Sequence, residues 1–574
     1  MGKTSGNFKL RLFFVSFIFL ILGGLLVGRL FFIQVAGGDK VGRQYSFYKT
    51  ISPISIRGDI YFKEKDGNLV SAAVIKDGFI ASVNPNVLSD PEFVCEKIGE
   101  IVTSEFDKED CLIRSSKKND PSEIVARRLN LDQAEKIRNL EIEGLAVLSE
   151  QWRFYPGGSL ASQILGFVGY KNDELTGRYG IERYYEKVLK GEEDRLKDGN
   201  SFAMLFFNLG KEFLGDGEPD GHDVILTIEP RVQVLLDNEL QELIEEWGAE
   251  GAGGIIINPK TGAILAMSGK PDFDPNHYGE VEDYDCFRNQ QISSIFEMGS
   301  VTKPLTMAIG IDTESITSKT TYYDKGNLVL DGRKIENYDG KARGLVDMQV
   351  VLNESLNTGA VFVMQKTGKE NFQKYLEDLG LAKKTEIDLP DEASGNLTNL
   401  SSMRDIEFAT ASYGHGIAMT PIEFTVAVSS LANGGFVPRP YVVEKIEVKG
   451  GKDYEAQQVM RGPVFKEETT KEISRMLINV VDEALLNGTV KLDHYSIAAK
   501  TGTALLPKEG ELGYYENEYF HSFFGYGPAF DAEFLIFLYL KKPQEVRYAS
   551  QTLTEPFMKL MKFLLDYYEI PPDR

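Results

Sequence analysis

An apolar run near the start of the chain constrains the fold most, because a membrane-spanning helix there would place all the folded domains after it in the chain. Residues 1–11 are short and basic, and residues 12–28 carry no charge. After Arg29 the apolar character resumes and ends near Val35. As a helix, residues 12–35 would span roughly 36 Å, which is enough to cross a bilayer. We therefore expect a short tail, one transmembrane anchor at 12–35, and all folded domains after it.

A cleaved signal peptide is the alternative interpretation of this run. Its apolar core would be shorter, and small residues would follow it as a cleavage site. The sequence Val35-Ala36-Gly37 is a poor site of that kind. An uncleaved anchor is therefore favoured.

Composition predicts a globular protein of more than one domain and excludes some classes of partner. The chain has 574 residues, of which 42% are hydrophobic, so it can build two or more cores. Its net charge of −23 argues against nucleic acid as a partner, since phosphate binding needs a basic surface. The scattered histidines and the absence of a Cys-x-x-Cys pair predict no metal site. Cys95 and Cys111 either form one disulfide in an exported protein or remain two buried thiols.

A turn-forming stretch at residues 215–221, Gly-Asp-Gly-Glu-Pro-Asp-Gly, marks a predicted domain boundary. Before it, residues 36–215 alternate strand-like pieces such as 78–83 with helical spacing such as that of 126–140, which indicates an α+β domain. After it, residues 222–574 show an early hairpin, a helical middle, late strands and a final helix. This order favours a second α+β domain, in which helices cover an antiparallel sheet.

A serine and a lysine stand three residues apart at the start of a predicted helix in the second domain. Ser300 and Lys303 precede the apolar run 305–311, and Pro304 is tolerated in a first helical turn. Residues three apart lie on one helix face. A serine needs an adjacent base to act as a nucleophile, and a lysine is such a base once its pKa is lowered. The partial positive charge of a helix N-terminus favours the neutral lysine and a developing oxyanion. The pattern indicates nucleophilic catalysis.

Two further motifs make this interpretation specific. Ser355-Leu356-Asn357 lies in a predicted helix over 350–365, and Lys500-Thr501-Gly502-Thr503 ends a strand-like run that begins at residue 495. Each motif type also occurs elsewhere, as at Lys260-Thr261-Gly262, where a hairpin turn explains it. Ser300, Ser355 and Lys500 alone run in this order inside one domain, with helix, helix and strand contexts in turn.

In this order, Ser-x-x-Lys, Ser-x-Asn and Lys-Thr-Gly resemble the signature of penicillin-recognising serine acyltransferases. The chain resembles a class B penicillin-binding protein, a monofunctional peptidoglycan transpeptidase. The similarity covers nearly the whole chain, because further stretches match the family's pedestal motifs and the opening hairpin of its transpeptidase domain. These stretches are Arg57-Gly58, Arg153–Pro156, Gly166–Gly169, Gly180–Glu182 and Asn258–Met267.

The sequence departs from the family pattern in two places. Lys63-Glu64-Lys65-Asp66-Gly67 stands where the family usually has an Asp-Arg-Asn-Gly-like turn. Gly414-His415-Gly416 stands where Gly-Gln-Gly is common. The first difference concerns the pedestal, and the second lies near the expected site.

The resemblance implies a fold and a location. It implies an N-terminal transmembrane helix at 12–35 after a cytoplasmic tail at 1–11, a pedestal domain of the dimerisation type at 36–215, and a transpeptidase domain of the penicillin-binding and serine β-lactamase fold at 222–574. The protein would be a single-pass protein of the plasma or inner membrane, with its catalytic domain outside the cytoplasm.

The resemblance also implies roles for the motif residues. Ser300 would attack the stem peptide, Lys303 would take its proton, and Ser355 and Lys500 would complete the catalytic set. The residues expected to bind substrate are Asn357, Thr501, Gly502 and Thr503. No metal or organic cofactor is required.

The partners implied are peptidoglycan stem peptides ending in D-Ala-D-Ala, β-lactams, and a membrane glycosyltransferase of the SEDS family, contacted through the anchor and the pedestal. The alternatives are a carboxypeptidase or β-lactam hydrolase, which delivers water in place of an amine, and a non-catalytic scaffold for that glycosyltransferase.

Overall fold

The computed structural model describes residues 13, 21, 23 and 57–574, except 104, 105, 173, 192–220, 450, 509, 511 and 512. The predicted anchor, at all but three positions, and the predicted boundary before Gly221 lie outside the described residues. None of the helices in the described part is long and apolar enough to cross a membrane. By its internal contacts the described part of the chain divides into two compact units, one that contains residues 76–152 and one that contains residues 57–75 and 153–574.

The smaller unit packs three helices against strands, and its core contains a disulfide. Its helices are Pro91–Ile101, Lys108–Ser115 and Leu131–Arg138; its strands are Glu123–Leu129 and parts of Leu69–Val83 and Leu145–Phe154. Asp90 and Asp107 begin the first two helices by accepting hydrogen bonds from backbone N–H groups of the first turn. Cys95 and Cys111 join these two helices covalently. Of the two interpretations left open for these cysteines, the disulfide is the one observed.

The helix predicted over 126–140 is wrong in its first half. Residues up to Leu129 form a strand that pairs with Leu69–Val83. Asn130 then begins a new helix, in which Asn130 and Gln133 cap each other's backbone N–H groups.

The larger unit is organised around a five-stranded antiparallel sheet. In spatial order its strands are Ala498–Pro507, Tyr514–Gly527, Phe534–Lys541, Gly251–Ile257 and Ile264–Lys270. Both faces are covered, so the strand Phe534–Lys541 is almost wholly apolar and buried. Its alternate side chains enter two cores: Ile536 and Leu538 pack with the helices Pro230–Trp247 and Thr554–Tyr567, and Phe537 packs with the helix Pro421–Ala432. The predicted antiparallel sheet covered by helices is confirmed.

The rest of the larger unit surrounds this sheet with short elements. Its other helices, including short 3₁₀ and π turns, are Ser162–Leu165, Gly180–Tyr184, Glu186–Lys190, Pro275–Glu280, Tyr284–Phe287, Gln290–Ser293, Gly299–Thr302, Lys303–Asp312, Met348–Asn353, Asn357–Thr367, Lys369–Asp378, Thr398–Ser402, Asp405–Ala411, Glu467–Asn479, Val480–Ala484, Leu485–Gly488 and Ala549–Thr552. Its other strands are Ile60–Lys63, Val168–Lys171, Glu174–Gly177, Asp223–Leu226, Thr321–Asp324, Asn327–Leu330, Arg333–Glu336, Gly344–Asp347, Val437–Pro438, Val443–Glu447, Tyr454–Glu455 and Met460–Arg461.

Candidate active site

Ser300 and Lys303 lie where a short 3₁₀ turn becomes an α-helix. Gly299–Thr302 forms the turn, and Lys303–Asp312 forms the helix, with Pro304 in its first turn as predicted. Residues three apart lie almost directly above one another in a 3₁₀ turn. The Nζ atom of Lys303 consequently lies 2.9 Å from the Oγ atom of Ser300.

Ser355 lies at a break between two helices, so the continuous helix predicted over 350–365 is wrong at this point. One helix ends at Asn353 and the next begins at Asn357. Ser355 has a φ of 54°, in the left-handed region that interrupts a helix. In this conformation both its carbonyl oxygen and its Oγ atom meet Lys303 Nζ, at 2.5 and 3.0 Å.

The side chain of Lys303 is buried and, among the described residues, has no carboxylate partner. Its side chain is only 1% exposed. No carboxylate of the described residues lies in ion-pair contact with its Nζ atom; its partners there are the oxygens of Ser300 and Ser355. Burial, and after it the positive charge of Lys500, hold the pKa of Lys303 well below its ordinary value. Both effects favour the neutral form of this amine, which lies beside a serine hydroxyl.

The third motif lies on the strand Ala498–Pro507, at an edge of the central sheet. Gly502 is required there, because a Cβ atom would lie 2.4 Å from Ser522 Oγ and 2.9 Å from the carbonyl oxygen of Met298. The absence of a side chain lets the strand approach the turn that carries Ser300. Lys500 is buried, its Nζ donates to the carbonyl of Thr501 at 3.0 Å, and burial lowers its pKa to about 8.

One cleft of about 520 Å³ brings the three motifs together. Six of the eight predicted residues line it: Ser300, Ser355, Asn357, Lys500, Thr501 and Thr503. Lys303 lies behind Ser300, and Gly502 lies in the backbone between the two threonines. Asn357 Nδ2 donates to the carbonyl of Glu336 at 2.8 Å, and Thr503 Oγ1 accepts from the backbone N–H of Ala549 at 3.0 Å.

The sequence did not predict most of the other residues that line this cleft. The additional polar and aromatic side chains that line the cleft include Tyr338, Glu354, Glu516, Tyr519, Arg547 and Tyr548. They come from distant parts of the chain and belong to no motif, so no local signal identifies them. His415 also lines the cleft, and its place in Gly414-His415-Gly416 was the one available signal. In the described part of the chain, no three histidine, cysteine or carboxylate side chains are grouped as a metal site requires.

Two family models match the chain. The model of the penicillin-binding protein transpeptidase domain matches residues 252–562. The model of the penicillin-binding protein dimerisation domain matches residues 54–197.

Relatives and solved structures agree with these matches. Stage V sporulation protein D of Bacillus subtilis is 30% identical, over 97% of this chain and 85% of its own. Peptidoglycan D,D-transpeptidase FtsI of Escherichia coli is 26% identical, over 78% of this chain and 73% of its own. Penicillin-binding protein 2X of Streptococcus thermophilus has the same fold, with a TM-score of 0.68 at 20% identity over 88% of this chain and 79% of its own. Penicillin-binding protein 3 of Mycobacterium tuberculosis, solved with aztreonam, gives a TM-score of 0.64 at 24% identity over 74% of this chain and 92% of its own. The chain therefore belongs to the class B penicillin-binding proteins.

Proposed function

We propose that this protein is a D,D-transpeptidase that crosslinks peptidoglycan stem peptides through an acyl-enzyme on Ser300. The observation that carries the proposal is the buried amine of Lys303, which lies 2.9 Å from the Ser300 hydroxyl and has no carboxylate partner among the described residues. The relatives named D,D-transpeptidases support the same reaction.

In the acylation step, a neutral Lys303 donates hydrogen bonds and also accepts a proton. A neutral amine has two N–H groups and one lone pair. The two oxygens of Ser355 accept the N–H groups, which leaves the lone pair for the proton of Ser300. Ser300 Oγ attacks the carbonyl of the penultimate D-Ala, and Lys303 takes its proton. That proton passes to the leaving D-Ala nitrogen, directly or through Ser355.

The edge strand binds the substrate. Lys500 attracts the terminal carboxylate and orients Ser355, and the hydroxyls of Thr501 and Thr503 donate to that carboxylate. Backbone N–H groups of Ser300 and Thr503 form the oxyanion hole. Asn357 holds an amide of the stem. An amine of a neighbouring stem then displaces Ser300 and completes the crosslink, whereas a penicillin stays attached.

Intact-mass spectrometry of the detergent-purified full-length chain with benzylpenicillin tests this proposal. A stable gain of one ring-opened drug, absent in Ser300→Ala, is the expected result. No adduct on folded protein would contradict it and favour the scaffold. An adduct that forms and decays with drug turnover would instead favour the hydrolase.

We also propose that residues 12–35 anchor the protein in the plasma or inner membrane, with the catalytic domain outside the cytoplasm. The apolar sequence, in which Arg29 is the one charged residue, supports the anchor, and the Cys95–Cys111 disulfide supports an oxidising compartment. Protease added to intact spheroplasts should degrade residues 57–574; protection of these residues would contradict the orientation.

The third part of the proposal is that this anchor and the pedestal contact a SEDS-family glycosyltransferase. Its support is the resemblance alone. Exchange of residues 12–35 for an unrelated transmembrane helix should abolish co-purification with that enzyme and leave acylation of Ser300 unchanged. Full co-purification of the exchanged protein would contradict it.

A further inference from the structure

The loop that carries His415 runs beside the turn that carries Ser300. The backbone N–H of Gly299 donates to the carbonyl of Gly414 at 3.2 Å. Phe296 and Met419 exchange two backbone hydrogen bonds, at 2.9 and 3.0 Å. Gly414 has a φ of 81°, and a Cβ atom there would lie 2.3 Å from the Gly299 carbonyl oxygen. The backbone of His415 is thus fixed against the nucleophile's own segment.

The imidazole of His415 lies between a carboxylate and the cleft. It lines the cleft together with Ser300, and its Nδ1 atom lies 3.5 Å from Glu297 Oε2. The rings of Tyr413 and Tyr514 lie 5.4 and 5.8 Å from it. Within the described chain, the contact with Glu297 is the only hydrogen-bonding or ionic contact of this ring. With Nδ1 facing Glu297, Nε2 points away from that carboxylate.

Glu297 is held in place by groups other than His415. The hydroxyl of Tyr514 donates to both of its carboxylate oxygens, at 3.1 and 3.0 Å, and the backbone N–H of Gly416 also bonds it. Burial raises its pKa to about 6, so it is a carboxylate at neutral pH. A fixed carboxylate behind an imidazole orients the ring.

We propose that His415, oriented by Glu297, takes the proton of the acceptor amine when the acyl-enzyme is resolved. The inference rests on the proposed transpeptidase function and assigns a residue to its second half. The amine nitrogen bonds to the acyl carbon, the bond from that carbon to Ser300 Oγ breaks, and the amine proton moves to His415 Nε2. The imidazolium returns this proton to Ser300 Oγ, which restores the free enzyme.

The charges around the ring fit this role. Burial, and after it the charge of Lys303, lower the pKa of His415 to about 4, so the ring is neutral and able to accept a proton at pH 7. The titratable groups that face it are Glu297, Tyr413, Tyr514 and Lys303. The charge of Lys303 contributes to this low pKa, so the pKa of His415 is higher whenever Lys303 is in its neutral form.

The test separates the two half-reactions in the full-length protein. Acylation is followed with benzylpenicillin, and transfer is followed with a D-alanyl thioester donor and D-alanine as the amine acceptor. In His415→Gln, we expect transfer to the amine to fall about 100-fold and acylation to stay within about twofold of wild type. Glu297→Gln should lower transfer about tenfold, because the ring keeps its base but loses its orientation.

His277→Gln is the matched control, since His277 also faces a carboxylate, with Nδ1 3.0 Å from Asp274 Oδ2, but does not line the cleft. It should leave both half-reactions unchanged. Unchanged transfer in His415→Gln, with an unaltered melting temperature, would overturn the inference. So would an equal fall in acylation, because His415 would then act on Ser300 itself. A wild-type protein that forms no acyl-enzyme would overturn the proposed function, a failure distinct from either of these.

Discussion

Two buried cationic clusters in the larger unit have opposite chemistry. In the cleft, Lys303 is buried beside hydroxyl and carbonyl oxygens, with no carboxylate partner among the described residues. In the second cluster, Arg57 and Arg153 surround the buried carboxylate of Glu182. The exposed fractions are similar, at 1% for Lys303 and 3% for Arg57. Burial alone therefore does not decide what a buried cation does.

The arginine cluster is held by several short hydrogen bonds between its guanidinium and carboxylate groups. Arg57 Nε donates to Glu182 Oε2 at 2.7 Å, Arg153 Nε donates to Oε1 at 2.6 Å, and Tyr155 donates to the same oxygen at 3.3 Å. Burial would lower the pKa of Arg57, but Glu182 and Glu186 outweigh it and raise that pKa. Burial would likewise raise the pKa of Glu186, but Arg57 holds it below its ordinary value. Both shifts favour the charged forms of Arg57 and Glu186, and the cluster ties residues 57, 153 and 182 together.

The difference shows what the counter-charge decides. A buried cation with carboxylate partners keeps its proton and stabilises the fold. A buried lysine without one loses its proton and becomes a base. The comparison predicts that a change of charge at Lys303 alters the rate of acylation, whereas a change of charge in the arginine cluster alters the free energy of unfolding.

The largest expected effect comes from replacing Lys303 by a side chain that stays positively charged. Lys303→Arg places a guanidinium that does not lose its proton beside Ser300, so the base is lost. We expect acylation by benzylpenicillin to slow by about 10³-fold or more. Stopped-flow or quenched mass spectrometry gives the rate, and a variant that acylates at nearly the wild-type rate would show that Lys303 is not the base.

The next largest effect comes from removing the counter-charge of the arginine cluster. Glu182→Gln leaves two buried guanidinium groups without their carboxylate, which should lower the free energy of unfolding by about 4 kcal/mol. Denaturant unfolding measures it, with the exposed Glu242→Gln as the control, expected to change it by less than about 1 kcal/mol. The folded fraction of Glu182→Gln should still acylate, and equal effects in the two variants would contradict the role given to this cluster.

How far the sequence predicts this site depends on which interactions are local. The structure brings Ser300 and Lys303 together as predicted, because three residues of one turn set their distance. The sheet was predictable because its strands are short apolar runs. The left-handed conformation of Ser355 was not foreseen, because neighbours in the fold impose it rather than local preference. Arg547 and Tyr338 reach the cleft from segments some 200 residues apart, where Arg547 Nη2 donates to the Tyr338 carbonyl at 3.3 Å. Such pairing over long sequence distances leaves no periodicity to read.

A third variant converts the first kind of cluster into the second. Ser355→Asp puts a carboxylate against Lys303, and aspartate tolerates the left-handed backbone of this position. The carboxylate should form an ion pair with Lys303 and raise the pKa of that lysine. Since Ser355→Asn has the same shape without the charge, the pair isolates that effect. We expect acylation by Ser355→Asp to be about 100-fold slower than by Ser355→Asn at pH 7. Equal rates would contradict the argument from charge.

The smallest expected effect is a pH dependence set by Lys500. Its pKa of about 8 means that the positive charge attracting a substrate carboxylate is present below pH 8 and lost above it. Acylation by benzylpenicillin should therefore fall about tenfold between pH 8 and pH 9.5 in wild type. In Lys500→Arg the charge persists and this fall should disappear. If the acylation rate of the variant falls as much as that of the wild type, a group other than Lys500 sets the pH dependence.

The close approach at Gly502 limits how such a protein can escape an acylating inhibitor. Any side chain at this position would push the edge strand away from the nucleophile's turn, and stem peptide and drug would lose the same contacts. Selection that must preserve wall synthesis therefore has little freedom in this strand. We expect resistance substitutions to arise instead among rim side chains such as Tyr338 and Tyr548, which meet edge to face across the cleft with their rings 5.9 Å apart. The backbone that makes catalysis possible is thus also the part of the drug target that is least able to change under selection.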